Sequence, residues 1–179
     1  SMDDFTTTPN IADARTQYVL RGFERELERL QSATPKELQQ PSLRMSYHVL
    51  SLYMHEIVTH HDPYDDCKMN ATGDVFLGSD APLTVAHINA LSACLTAIDG
   101  IFDVFLSLDV ATIRCLPVFN FVRVAYAVVV LIKMYFAASS PNSELGKVIN
   151  RDNMKVEQHL EALHEKFRAT AADERSRPA

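Results

Sequence analysis

Two helix-period apolar patterns lie back to back across residues 90–138, and they confine this chain to a helical bundle. In the first, Ile88, Leu91, Leu95, Ile98, Phe102 and Phe105 recur at spacings of three and four. A second stripe runs beside it through Ala90, Cys94, Ala97, Ile101, Val104 and Leu108. Two apolar stripes on one helix imply burial on most sides, as in the middle of a bundle. A polar hinge at Ser107, Leu108 and Asp109 and the proline Pro117 separate it from the second pattern, 118–138, which is apolar almost all round and broken by the cations Arg123 and Lys133.

The second pattern is long enough to raise the question of a membrane span. A spanning helix needs ~20 mostly apolar residues. Between Arg123 and Lys133 only 124–132 is uninterrupted, and each central cation costs about 2.5–3.5 kcal/mol on insertion scales. A buried helix in water is the better reading, and no membrane partner is expected. With 179 residues, 47% hydrophobic and 22% charged, the chain is long enough for one domain with a proper core. A formal net charge of −6 argues against direct grip on nucleic acid, which calls for a basic face. Cys67, Cys94 and Cys115 are odd in number and widely spaced. They fit neither a disulfide framework nor a zinc site and point to a reducing compartment, with Cys94 and Cys115 read as small hydrophobes in apolar runs. No signal peptide is legible, and Ser1 and Met2 read as an expression remnant on a segment of a longer protein.

Along the chain, 1–9 reads as a disordered lead-in, 10–172 as a single helical domain and 173–179 as a frayed tail. Asn10 is placed to cap a first helix reaching about residue 31, with Ile11, Ala14, Tyr18, Val19, Phe23, Leu27 and Leu30 inward and Arg21, Glu24, Arg25, Glu28 and Arg29 outward. Thr34 to Glu37 has the form of a capping box with proline at the first helical position, and Pro41 is expected to end or kink that turn. A second helix, 42–60, carries Leu43, Tyr47, Leu50, Met54, Ile57 and Val58. The helical pattern then vanishes over 61–83, where Pro63, Gly73, Gly78 and Pro82 mark a long loop. Helices over 84–107 and 110–116 precede the one after Pro117. A break at 139–143 and a last amphipathic helix, 152–171, with Val156, Leu160, Leu163 and Phe167, complete the series. The fold expected is all-α, a bundle of roughly five to six helices with a long loop between the second and third main ones.

Catalytic motifs fail on geometry. His55 and His60 are five apart, whereas a helical zinc pair must be four apart, and Thr59 stands where the second histidine is needed. His60, His61, Asp62, Asp65, Asp66 and Cys67 mix ligand types without diagnostic spacing and read as a solvated loop. Asp65 and Asp66 invite comparison with all-α terpene synthases, but Met69 replaces the further carboxylate that magnesium diphosphate would need. No phosphate loop or nucleophile elbow is present. No catalytic residue and no metal ligand is therefore assigned. An all-α enzyme would require convergent polar groups, for which Glu56, His55 and Asp99 are the candidates.

Arg123 is the residue to watch, because it sits among Phe119, Phe121, Val122, Val124 and Tyr126. A buried guanidinium left unpaired costs on the order of 3–5 kcal/mol. Asp99, Asp103 or Glu56 is the expected internal partner. The sharper alternative is the carboxylate of a small ligand entering the bundle, with Arg123, Tyr126, Phe102 and Phe119 as the ligand-binding set. Lys133 is expected to snorkel outward.

The strings Leu91 to Leu95, Phe105 to Asp109, Leu116 to Phe119 and Phe121 to Ala127, with Leu52 to Glu56 upstream, resemble the regulatory domain of fungal zinc-binuclear-cluster (six-cysteine) transcription factors. The resemblance covers 43–138. It implies a nuclear, non-enzymatic helical domain C-terminal to a DNA-binding zinc cluster, tuned by a small-molecule inducer, a coactivator or self-association. The six cysteines are not in this segment, so zinc and DNA are expected only through a domain outside it, and no cofactor is expected here. A ligand-free dimerisation or coactivator-docking module is the competing expectation.

Overall fold

Helix boundaries in the structure are set by caps, loop polarity and the reach of each apolar stripe. The structure, a computed structural model, describes residues 13–59, 84–139 and 144–172. Among them are seven α-helices and no strand: α1 (Ala14–Ala33), α2 (Pro41–Thr59), α3 (Val85–Leu106), α4 (Val110–Arg114), α5 (Val118–Ser139), α6 (Glu144–Val148) and α7 (Val156–Ala172). Single 3-10 turns lie at Lys36–Leu38 and Arg151–Met154. The all-α expectation holds. The expected lead-in, tail and long loop lie outside the described residues, as do the Asn10 cap and the histidine–aspartate–cysteine cluster of that loop.

α3 is the centre. Both of its predicted stripes are buried: Leu91, Ile98, Phe102 and Phe105 on one, Ala90, Cys94, Ala97, Ile101 and Val104 on the other. It packs most extensively on α2, and also on α5 and α7, whereas α1 lies on α2. The α2–α3 approach is close because Gly100 has no side chain. A Cβ there would overlap Cε1 and Nδ1 of His48, so the imidazole occupies the place of the missing methyl.

Polar groups define the ends. Thr84 caps α3, its Oγ1 accepting from the His87 N–H. Asp109 caps α4, accepting from both the backbone N–H and the hydroxyl of Thr112. Those bonds hold its carboxyl below the ordinary carboxylate value. Near the other end of the molecule, Lys155 adopts the left-handed region (φ 47°) between the second 3-10 turn and α7. Arg114 donates from Nε and Nη2 to the Thr170 carbonyl near the end of α7, and Lys166 donates to the Leu108 carbonyl at 2.7 Å. Cations on late carbonyls are favourable partners for a helix C-terminus. They tie α7 to α4 and the hinge that precedes it. The rings of Phe105, Phe121 and Phe167 then close the α3–α5–α7 junction, with centroids 5.4 to 6.3 Å apart.

Several expectations are corrected. Pro41 is the first residue of α2 instead of the end of a turn, which suits a residue without an N–H. Thr34 closes α1: its hydroxyl donates to the Leu30 carbonyl and lies 2.8 Å from the Tyr47 hydroxyl, so it forms no capping box. α1 buries Leu20, while Tyr18, Val19, Phe23 and Leu30 are exposed. Among the described side chains of α2, Met45, Val49, Leu52 and His55 are buried, and Leu50 is exposed. Cys115 is exposed, unlike Cys94. The 139–143 break is followed by the unforeseen short α6.

α3 and α5 are each long and apolar enough to cross a membrane by length and composition. In this fold the inward face of each is packed against other helices.

Candidate ligand site at the start of helix five

Pro117 immediately precedes α5, its carbonyl accepting the Asn120 N–H at 3.0 Å. Residues three and four apart share a helix face, so Phe119, Asn120 and Arg123 project together. Asn120 is completely buried. Its Nδ2 donates to the Ser42 hydroxyl of α2 at 2.9 Å. Arg123 donates from Nη1 to the Asn120 Oδ1 at 3.3 Å and to the Ser42 carbonyl at 3.4 Å. The guanidinium carbon lies 4.6 Å from the centroid of the Phe119 ring, a cation–π distance. The result is a polar clasp between the first turns of α2 and α5.

The partners of Arg123 are all neutral. Asp99 instead lies 3.0 Å from Nε2 of His159, without hydrogen-bond alignment. Asp103 acts electrostatically on His48. The expected internal salt bridge of Arg123 is thus absent among the described residues. Half-exposure explains how this is tolerated, because solvent reaches the charge. A guanidinium has five N–H donors, and the printed geometry engages only those of Nη1. The Nε–Nη2 edge has no partner among the described residues. That edge is the one that carboxylates bind side-on with two parallel bonds.

Of the other predicted ligand residues, Phe119 is half-exposed beneath Arg123. Tyr126, one turn further along α5, packs its ring 4.7 Å from Tyr53, and its buried hydroxyl has no hydrogen-bond partner among the described residues. Phe102 is fully enclosed in the core, its ring 5.0 Å from that of His159. It cannot meet an incoming molecule unless the core opens. The structure therefore joins Arg123 with Phe119, sets Tyr126 nearby on the same helix and gives Phe102 a packing role.

Sequence reasoning missed Asn120 and Ser42. The signal was available: Asn120 is a lone amide in an apolar helix, and a buried amide needs partners. It weighed His55 only as a metal or enzyme candidate and missed its pairing: the ring is buried with Nε2 2.8 Å from Oε1 of Glu24 on α1 and Nδ1 2.7 Å from the Ser51 carbonyl. A carbonyl can only accept, so Nδ1 donates to Ser51, and Nε2 faces the Glu24 carboxylate. His55 is thus the polar latch of α1, and the grouping of Glu56, His55 and Asp99 that an enzyme reading required does not form around it. Burial pushes the Cys94 thiol up to about 12, with the Glu56 charge adding to the shift, so Cys94 behaves as an apolar spacer. Among the described residues no three His, Cys, Asp or Glu side chains are grouped to hold a metal ion.

The chain is similar to the transcription factor pbcR of Emericella nidulans, with 36% identity over 75 residues. The match takes in 42% of this chain and 10% of that protein, so the chain spans about a tenth of the curated relative's length. No family model and no solved structure matches. The likeness relates this stretch of the chain to part of a fungal transcription factor.

Proposed function

We propose that this chain is a regulatory domain of a zinc-cluster transcription factor, acting in the nucleus without catalysis and responding to a small carboxylate held at Arg123. The partial likeness to a transcription factor supports the regulatory half of this reading. The observation that carries the ligand half is the open Nε–Nη2 edge of Arg123, a cation with only neutral partners. Phe119 would hold the face of the guanidinium while a carboxylate takes its edge. Because Nη1 also holds the Ser42 carbonyl, a ligand that draws the guanidinium outward changes the clasp between α2 and α5. Such a ligand shifts the domain only by binding one packing more tightly than the other. DNA would be engaged by a zinc domain elsewhere in a longer chain, and a coactivator would read the change in packing.

Two measurements test the two halves separately. A thermal-shift series with small mono- and dicarboxylates should stabilise the wild type and leave Arg123→Ala unmoved. No shift in the wild type, or the same shift in both, removes the ligand. Fusing the chain to an unrelated DNA-binding domain should change reporter output relative to that domain alone. An unchanged reporter removes the regulatory role.

A further inference from the structure

α5 carries a second apolar seam, on the side away from the core. Its buried residues include Asn120, Ala127 and Met134, spaced seven apart. On the opposite side Val118, Val122, Ala125, Val129, Ile132 and Phe136 follow a four–three–four–three–four spacing, the a/d pattern of a coiled coil. Val118 (77%), Val122 (62%), Val129 (49%) and Phe136 (66%) are strongly exposed, with Phe119 beside them. Tyr53 of α2, its ring tilted against that of Tyr126, is also exposed.

We infer that this face pairs with the same face of a second copy of the chain, α5 against α5 in antiparallel array about a two-fold axis. The first argument is self-complementarity, which a symmetric interface requires. Centred on Ala127, an antiparallel pair sets Val118 opposite Phe136, Val122 opposite Ile132 and Ala125 opposite Val129. Small residues meet larger ones in each layer, and each a position meets a d position. The second argument is area. Three valines and two phenylalanines at these exposures present on the order of 500 Å² of apolar surface per copy. Doubling across the axis reaches roughly 1,000 Å², the threshold for a specific interface. This pairing does not depend on the Arg123 ligand.

Sedimentation of the 179-residue chain across micromolar concentrations tests it. The wild type should reach twice the monomer mass. Val122→Glu and Val129→Glu should halve that mass while circular dichroism and melting stay unchanged, since both side chains face outward. In a Cys115→Ser background, mixing Ala125→Cys with Val129→Cys protein should give the mixed disulfide in preference to either homodimer. A wild type that stays monomeric, a dimer that survives both glutamates, or crosslinking dominated by like pairs overturns the proposal. So does a monomer that binds an acidic amphipathic peptide through this face.

Discussion

The glycines of α1 and α3 sit in opposite circumstances. In α3, a Cβ on Gly100 would run into the His48 ring; in α1, a Cβ on Gly22 would meet nothing within 4 Å. The rest of each helix follows suit. α3 buries nine residues and is packed by α2, α5 and α7. α1 buries Leu20 alone among its described residues and leaves Tyr18 and Phe23 largely in water. The difference teaches that apolar content does not fix where a helix sits. α3 is anchored by shape, and α1 by a few directed bonds: His55 to Glu24, and Thr34 to Tyr47. Shape-dependent sites resist change in either direction, whereas bond-dependent sites tolerate most substitutions except those that remove the bond.

The sharpest way to break this contrast is to cut an equivalent ring from each helix. Phe102→Ala should cost about 3–5 kcal/mol, the range for emptying a buried aromatic site. Phe23→Ala, on the open side of α1, should stay within about 0.5 kcal/mol. Denaturant midpoints at constant slope would measure both, and comparable losses would mean that α1 is packed far more tightly than its exposure indicates. Next in size is Gly100→Ala. Overpacking of this kind costs about 1–3 kcal/mol, against a helix-propensity gain of about 1 kcal/mol. A net loss is expected because an imidazole, wedged between helices, must move. Adding His48→Ala should restore part of that loss. A double mutant no better than Gly100→Ala alone would show that the clash is not with the ring.

These particulars also show what was legible in the sequence. α3 was readable because both of its stripes are apolar, so any rotation about its axis predicts burial. The sequence places α1 and α2 as helices, but most of the expected inner face of α1 is turned outward. In α1 the exposed set Tyr18, Val19, Phe23 and Leu30 outnumbers the residue that packs, Leu20, and in α2 the inward set includes His55, a residue no hydropathy stripe selects. Arg123 was legible as a cation among apolar neighbours. Its partners were not, because a carbonyl at the start of α2 and a buried amide leave no charge pattern to read. Phe102 looked like a possible pocket wall, but periodicity cannot distinguish a residue beside a cavity from one inside solid packing. The second seam of α5 was hidden for the same reason: a helix apolar all round gives no sign of which face remains open.

Smaller effects sharpen the same comparison. Gly22→Ala should stabilise the chain by about 0.5–1 kcal/mol, since the methyl meets no neighbour and the unfolded chain loses freedom. Destabilisation would mean that α1 needs the flexibility of that glycine. The smallest effect concerns His48 itself. Burial, with the charge of Arg44, holds its pKa below the ordinary 6.5, and Asp103 opposes that shift only in part. The unfolded chain then binds a proton more readily than the folded one. The stability associated with neutral His48 is complete above pH 6.5 and is lost as pH falls through the lower folded value. His48→Gln should flatten the fall in denaturant midpoint between pH 7 and pH 5 relative to the wild type. A slope unchanged by this substitution would mean that protonated His48 is accommodated beside Gly100, and that the α2–α3 contact yields to charge where it does not yield to volume.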